Sequence, residues 1–312
     1  MASGIVTKST GSWYLVLDES SGDYINCRIR GSFRQKGIKS TNPVAVGDLV
    51  HYEKTDTKHG IITELHDRKN YLIRKSSNLS KQSHILAANI DQAFLFVTLI
   101  YPFTTTEFID RFLVTAEAYQ VPVIILFNKV DVYDEMQLIR LAELTDIYES
   151  AGYRCIRISA LEGLNTRLVK DLMKGNINLF SGHSGTGKST LINAIEPGLK
   201  LKTTEISKAH KTGKHTTTFY EMFQLSFGGF VVDSPGIKGF GLFQFDKEEI
   251  YHFFPEIFKA ASNCKFHNCL HLNEPGCAVV KDVEEGKISL SRYENYLKIL
   301  TGDDERYRKP DY

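Results

Sequence analysis

Apolar and polar positions alternate in two different ways along this chain. Up to about residue 75 the apolar runs are short and separated by polar turns. Trp13–Leu17 and Tyr24–Arg30 flank the turn Asp18–Asp23, and Val46–Tyr52 and Gly60–Leu65 follow. Short strands at this spacing predict a small β-barrel, of which the OB-fold is one option. From about residue 76 the pattern changes to strands alternating with helices, the mark of an α/β sheet. Ile90–Ile100 and Val121–Phe127 are continuous apolar runs that suit strands buried on both faces. Between them, Thr106–Gln120 predicts an amphipathic helix with Phe108, Phe112, Leu113 and Ala116 on one side. Helices over Met136–Gly152 and Asn165–Lys174, strands over Tyr153–Ile158, Asn176–Phe180 and Phe230–Val232, and a last helix over Ser289–Leu300 complete the reading. Three domains are expected: 1–75, 76–245 and 246–312.

Composition narrows the class without naming a partner. Of 312 residues, 42% are hydrophobic and 24% charged, as in a water-soluble globular protein, and no apolar run is long enough to span a bilayer. The N-terminus lacks a basic segment leading into an apolar core, so no signal peptide is expected. Net charge is only +1, but the barrel region carries twelve basic residues against eight acidic ones. Arg28, Arg30, Arg34, Lys36 and Lys39 gather around Phe33, which suits either a nucleic-acid face or a solvated charged rim. Five cysteines is an odd number, and three lie between Cys264 and Cys277, which favours a metal site in a reducing cytosol over a disulfide framework.

Chemistry concentrates at Gly182-His183-Ser184-Gly185-Thr186-Gly187-Lys188-Ser189-Thr190, which matches the phosphate-binding loop G-x-x-x-x-G-K-[ST] between a strand and a helix. Its glycines allow backbone N–H groups to turn inward around phosphate oxygens, Lys188 reaches the outer phosphates, and the Ser189 hydroxyl suits Mg²⁺. Upstream, Asn128-Lys129-Val130-Asp131 has the form N-K-x-D. A carboxylate accepts two parallel N–H bonds, which fits the N1–H and exocyclic amine of guanine and leaves Asp131 unpaired against adenine. The stem of Lys129 can cover the base, and Ser159-Ala160 can offer a backbone N–H to the guanine O6. Downstream, Asp233-Ser-Pro-Gly236 supplies a carboxylate for Mg²⁺ and a Gly236 N–H to sense the γ-phosphate. Gly213–Thr218 lies in a Lys-rich loop, and one of its threonines completes the Mg²⁺ shell. Thr218 is the working candidate, and Thr216 and Thr217 stay open. The base reader therefore precedes the phosphate loop and D-x-x-G instead of following them, as a circular permutation produces.

Cys264, Cys269, His271 and Cys277 form C-x₄-C-x-H-x₅-C, a full tetrahedral donor set for one structural Zn²⁺, with His267 a competing ligand. Taken together, these motifs resemble the circularly permuted GTPases of small ribosomal subunit biogenesis, the ribosome small-subunit-dependent GTPase A family, along nearly the whole chain. The resemblance implies a circularly permuted α/β P-loop GTPase domain with an N-terminal OB-like barrel and a small helical zinc-binding domain. It implies a cytoplasmic, monomeric enzyme that takes GTP with Mg²⁺, releases GDP, and binds the 30S subunit and its 16S rRNA late in maturation. Hydrolysis is expected to be slow alone and stimulated by the small subunit. The family usually has Arg where this chain has Lys214. Ile237 follows Gly236 where Ras-like proteins position the attacking water, so another group must do so. His215 is the candidate that the resemblance offers, and a group supplied by the ribosome is the alternative. Two other classes compete: a nucleotide-gated RNA-binding scaffold with negligible turnover, and an ATP-using small-molecule kinase, which Asp131 argues against.

Overall fold

The computed structural model describes residues 1–10, 12–30, 43–75, 83–199, 221–233 and 246–302. Five strands form the N-terminal barrel: β1 (Ala2–Ser9), β2 (Tyr14–Asp18), β3 (Tyr24–Ile29), β4 (Leu49–Lys54) and β5 (His59–Leu65). They run in the order β1-β2-β3-β5-β4, and a further β1–β4 pairing closes the ring. Strand alternation builds its interior, with Val6, Tyr14, Val16, Ile25, Cys27, Val50, Tyr52 and Ile62 inside. The sequence pattern gave no hint of β1, whose GIVTK core is too short and polar to stand out. Three neighbouring strands create it. A hairpin of β6 (Tyr71–Lys75) and β7 (Ser83–Ala88) leads from the barrel to the α/β layer.

The second sheet runs β10 (Arg154–Arg157), β9 (Val123–Phe127), β8 (Gln92–Val97), β11 (Ile177–Ser181), β13 (Phe230–Asp233) and β12 (Glu221–Gln224). Its first five strands are parallel, and β12 returns antiparallel along β13. Helices α1 (Thr106–Ala118), α2 (Glu135–Ser150), α3 (Thr166–Met173) and α4 (Lys188–Ile195) connect them. Both faces are dry, as the continuous apolar runs require. Ala93, Leu95, Val97, Val123, Ile125 and Phe127 face one core, while Phe94, Phe96, Ile124 and Leu126 face the other. Chain order reverses on either side of β8, so the loops after β8, β9 and β11 open side by side. Such a crevice at the carboxyl ends of parallel strands is where open α/β sheets bind ligands.

The two sheets are continuous, because Lys8 of β1 pairs with Glu221 of β12. C-terminal to them lie a 3₁₀ turn (Lys247–Phe253) and three helices, α5 (Pro255–Ala261), α6 (Ala278–Glu284) and α7 (Leu290–Thr301). Their core of Ile250, Phe254, Ile257, Val279, Tyr296 and Leu300 also takes in Val114 of α1. Helix α1 is thus buried on two sides, not on the single face that its periodicity predicts. Among the described residues, no helix is long and apolar enough to cross a membrane.

Candidate functional site

Between β11 and α4 the chain must turn sharply, and glycine permits it. Gly182, Gly185 and Gly187 have φ of +139°, +86° and +99°. A Cβ on Gly182 would lie 2.6 Å from the Phe96 carbonyl oxygen, and one on Gly187 would lie 2.1 Å from Asn128 Nδ2. The loop is cross-braced by the Thr186 hydroxyl, which donates to the His183 carbonyl at 2.9 Å. Lys188 folds over its mouth, with Nζ donating to the carbonyls of Gly182 and His183 at 2.7 Å each. Ser184, Gly185 and Thr190 are exposed and Ser189 is half-buried. The His183 ring lies on Phe108, centroids 4.0 Å apart. Burial there, and then the neighbouring Lys188 charge, hold the imidazole below its usual pKa.

Asn128 joins three segments that are far apart in sequence. Its Nδ2 donates to the Thr186 carbonyl at 2.7 Å, and its Oδ1 accepts from the Ala160 N–H at 3.0 Å. The Tyr133 hydroxyl then fixes the Asn128 carbonyl at 2.7 Å. Asn128 therefore brings N-K-x-D, Ser159-Ala160 and the phosphate loop together. The Ala160 N–H is already engaged with Asn128, while Ser159 is buried and its hydroxyl accepts from the Glu162 N–H at 3.0 Å. Lys129 sits in the left-handed region at φ +68°, and its ammonium donates to the Tyr101 carbonyl. Val130 is half-buried and Asp131 exposed. Sequence reasoning carried the strand on to Ile100, where β8 in fact ends at Val97, and gave the 98–105 segment no role. It is closed by Thr98–Thr104 bonding and places Pro102 Cδ 3.6 Å from where a Gly185 Cβ would be.

Asp233, the first residue of D-x-x-G, ends β13 beside Glu221 and so lies at the carboxyl end of the parallel strands, as the end of β11 does. Gly236, His215 and Thr216–Thr218 lie outside the described residues, as do Phe33, Arg34, Lys36 and Lys39. On the barrel, Arg28 places its guanidinium 4.0 Å from the Trp13 ring centroid.

At the C-terminus the four ligand atoms of Cys264, Cys269, His271 and Cys277 all lie within 4.8 Å of one another. Cys264 Sγ and Cys277 Sγ are 3.9 Å apart and lie 3.6 and 3.5 Å from His271 Nδ1. Tetrahedral zinc with ordinary bond lengths requires about 3.8 Å between sulfurs and about 3.5 Å from sulfur to nitrogen, which Cys264, Cys277 and His271 meet, with Cys269 close enough to supply the fourth donor. The Glu274 carboxylate shapes the loop by accepting the N–H groups of Leu270, Leu272 and Asn273. The Tyr293 and Tyr296 hydroxyls hold the His271 and Leu270 carbonyls. Neither device announces itself in the spacing of the cysteines.

A phosphate loop, a guanine-type reader and a D-x-x-G strand end on one sheet, in permuted chain order, define a circularly permuted P-loop GTPase. Comparison with known proteins agrees. The RsgA GTPase family model matches residues 65–243, and the RsgA N-terminal domain model matches residues 3–62. The chain belongs to the RsgA GTPase family. It is 57% identical over 312 residues to a Christiangramia forsetii protein named small ribosomal subunit biogenesis GTPase RsgA, covering 99% of each chain. Among solved structures it is similar to YjeQ from Thermotoga maritima, with TM-score 0.80 and 38% identity over 96% of this chain and 98% of that one. It also resembles YloQ, described as a circularly permuted GTPase, with TM-score 0.74 and 31% identity over 99% and 96% of the two chains.

Proposed function

We propose that this protein is a GTP-hydrolysing switch that binds the small ribosomal subunit through its 16S rRNA, in the cytoplasm and as a monomer, and acts late in that particle's maturation. The observation that carries the reading is the Asn128 bridge, which fixes a base reader and a phosphate cradle as two ends of one cleft. In this account Asp131 pairs with the guanine edge, while Asn128 and the Ser159-Ala160 turn hold the base pocket in shape. Lys129 and Val130 flank the base. The amides of residues 182–190 and the Lys188 ammonium take the phosphates, with Lys188 exchanging its two carbonyl partners for phosphate oxygens. Ser189, Thr218 and Asp233 are the Mg²⁺ candidates, Gly236 the γ-phosphate sensor and His215 the candidate for orienting water.

The Cys₃His cluster would hold one structural Zn²⁺, closed to solvent chemistry because all four positions come from protein. The division into 1–75, 76–245 and 246–312 assigns RNA contact to the barrel and the C-terminal part, and the switch to the middle. The similarity to ribosomal subunit biogenesis GTPases supports the partner. GTP turnover measured with and without purified 30S subunits tests it. Slow turnover that rises on adding 30S is expected, and an unchanged rate would favour a scaffold whose nucleotide gates binding only.

A further inference from the structure

Helix α1 is shared by two cores. Ile109, Phe112, Leu113 and Ala116 pack into the sheet, while Val114 packs into the C-terminal helical core. On the C-terminal side sits Asp110, fully buried. It accepts from Arg292 Nη1 at 2.7 Å and from Asn295 Nδ2 at 2.6 Å, both on α7. Arg292 is itself buried and gives its other nitrogens to Glu256 of α5 at 2.7 and 3.0 Å. Phe254 lies 4.8 Å beneath its guanidinium, and Glu107–Lys298 adds a 2.8 Å pair one turn away. Buried charges held in this way tolerate little displacement, since separating them leaves a charge unpaired.

The same helix touches the nucleotide cleft. Phe108 carries the His183 ring of the phosphate loop. The segment that leads into α1 contacts the cleft at both ends: Pro102 borders Gly185, and the Tyr101 carbonyl takes the Lys129 ammonium. Thr105 caps the helix by accepting from the Phe108 N–H, so this segment and the helix start as one unit.

We propose that α1 is a transmission element: occupancy of the cleft and the pose of the C-terminal Cys/His module are coupled through Phe108–His183 at one end and the Asp110–Arg292–Asn295 clasp at the other. The inference rests on the nucleotide reading above and adds a route that bypasses the D-x-x-G segment. Coupling of this kind is reciprocal, so whatever grips the C-terminal module also alters nucleotide affinity.

Hydrogen–deuterium exchange on the full-length protein, with and without GDP, tests it. GDP is expected to slow exchange in residues 182–190 and, by about 5-fold or more, in residues 290–301 as well. Phe108→Ala leaves the folded clasp in place. It should keep protection of the phosphate loop but abolish the response at 290–301. Arg292→Lys keeps the charge but cannot bridge Asp110 and Glu256 together, and should lose the same remote response. Protection at 182–190 with no change at 290–301 in the wild type would overturn the proposal. So would a remote response that survives Phe108→Ala. If GDP protects neither region, the nucleotide reading itself falls.

Discussion

Gly187→Ala should cripple nucleotide binding by a margin that the structure allows to be worked out. At φ +99° a side chain is disfavoured by roughly 1–2 kcal/mol. The new Cβ would stand 2.1 Å from Asn128 Nδ2, so one of the two must move. Asn128 cannot move cheaply, because its amide is pinned to the Thr186 carbonyl at 2.7 Å and to the Ala160 N–H at 3.0 Å. Breaking even one of those bonds leaves a buried partner unsatisfied, at a cost of about 1–3 kcal/mol. The free protein relaxes by letting the loop swing aside, and bound nucleotide requires it to swing back. The two terms together come to about 2–5 kcal/mol, and a loss near the middle of that range, about 3 kcal/mol, appears as a GDP affinity about 100-fold weaker. Titration with a fluorescent GDP analogue reads this directly. Gly228→Ala is the control, since Gly228 has φ +91° but nothing within 4 Å of a new Cβ, and its affinity should match the wild type. GDP binding by Gly187→Ala within threefold of the wild type would refute the bridge as a determinant of the pocket.

Three further expectations follow. Asp131→Asn should weaken GTP by about 10- to 100-fold and shift preference toward xanthosine nucleotides, and unchanged selectivity in a competition assay would remove Asp131 from the base site. Cys269→Ser should reduce zinc, by elemental analysis, from about one per chain to background and loosen the C-terminal core, whereas full zinc content defeats the ligand assignment. In the barrel, the Ser20 side chain, Tyr52 and the Ser21 N–H hold the buried Asp18 carboxylate well below the usual carboxylate range. A depressed native pKa stabilises above the unfolded value of about 3.9 and is lost as pH falls through the native value. Asp18→Asn should therefore destabilise the barrel at pH 7, with the gap to wild type narrowing below about pH 4. Trp13, the single tryptophan, reports it by fluorescence, and a gap independent of pH would contradict the assignment.

What could be read in advance was whatever a fixed spacing dictates. Gly182–Thr190 and Asn128–Asp131 carry their geometry in consecutive residues, so strand, turn and helix follow from them, and the cysteine spacing fixes its donor set. Contacts between distant residues left no such trace. Asp110 looks like the solvent side of an amphipathic helix until Arg292, 182 positions later, closes on it. The strand β1 is legible only from its partners, because Gly4, Thr7 and Ser9 dilute its apolar signal. Helices α5 and α6, of seven residues each, are too short to show a period. The role of Glu274 as an acceptor of three backbone N–H groups depends on a loop shape that spacing does not encode.

The Lys8–Glu221 pairing makes the barrel a cap as well as a module. Without β1 the outer margin of β12 would be open from Glu221 onward, and such an edge invites pairing with other chains. The barrel thus shields the start of that margin, so cutting the chain between the two layers would bare the Glu221 end of β12.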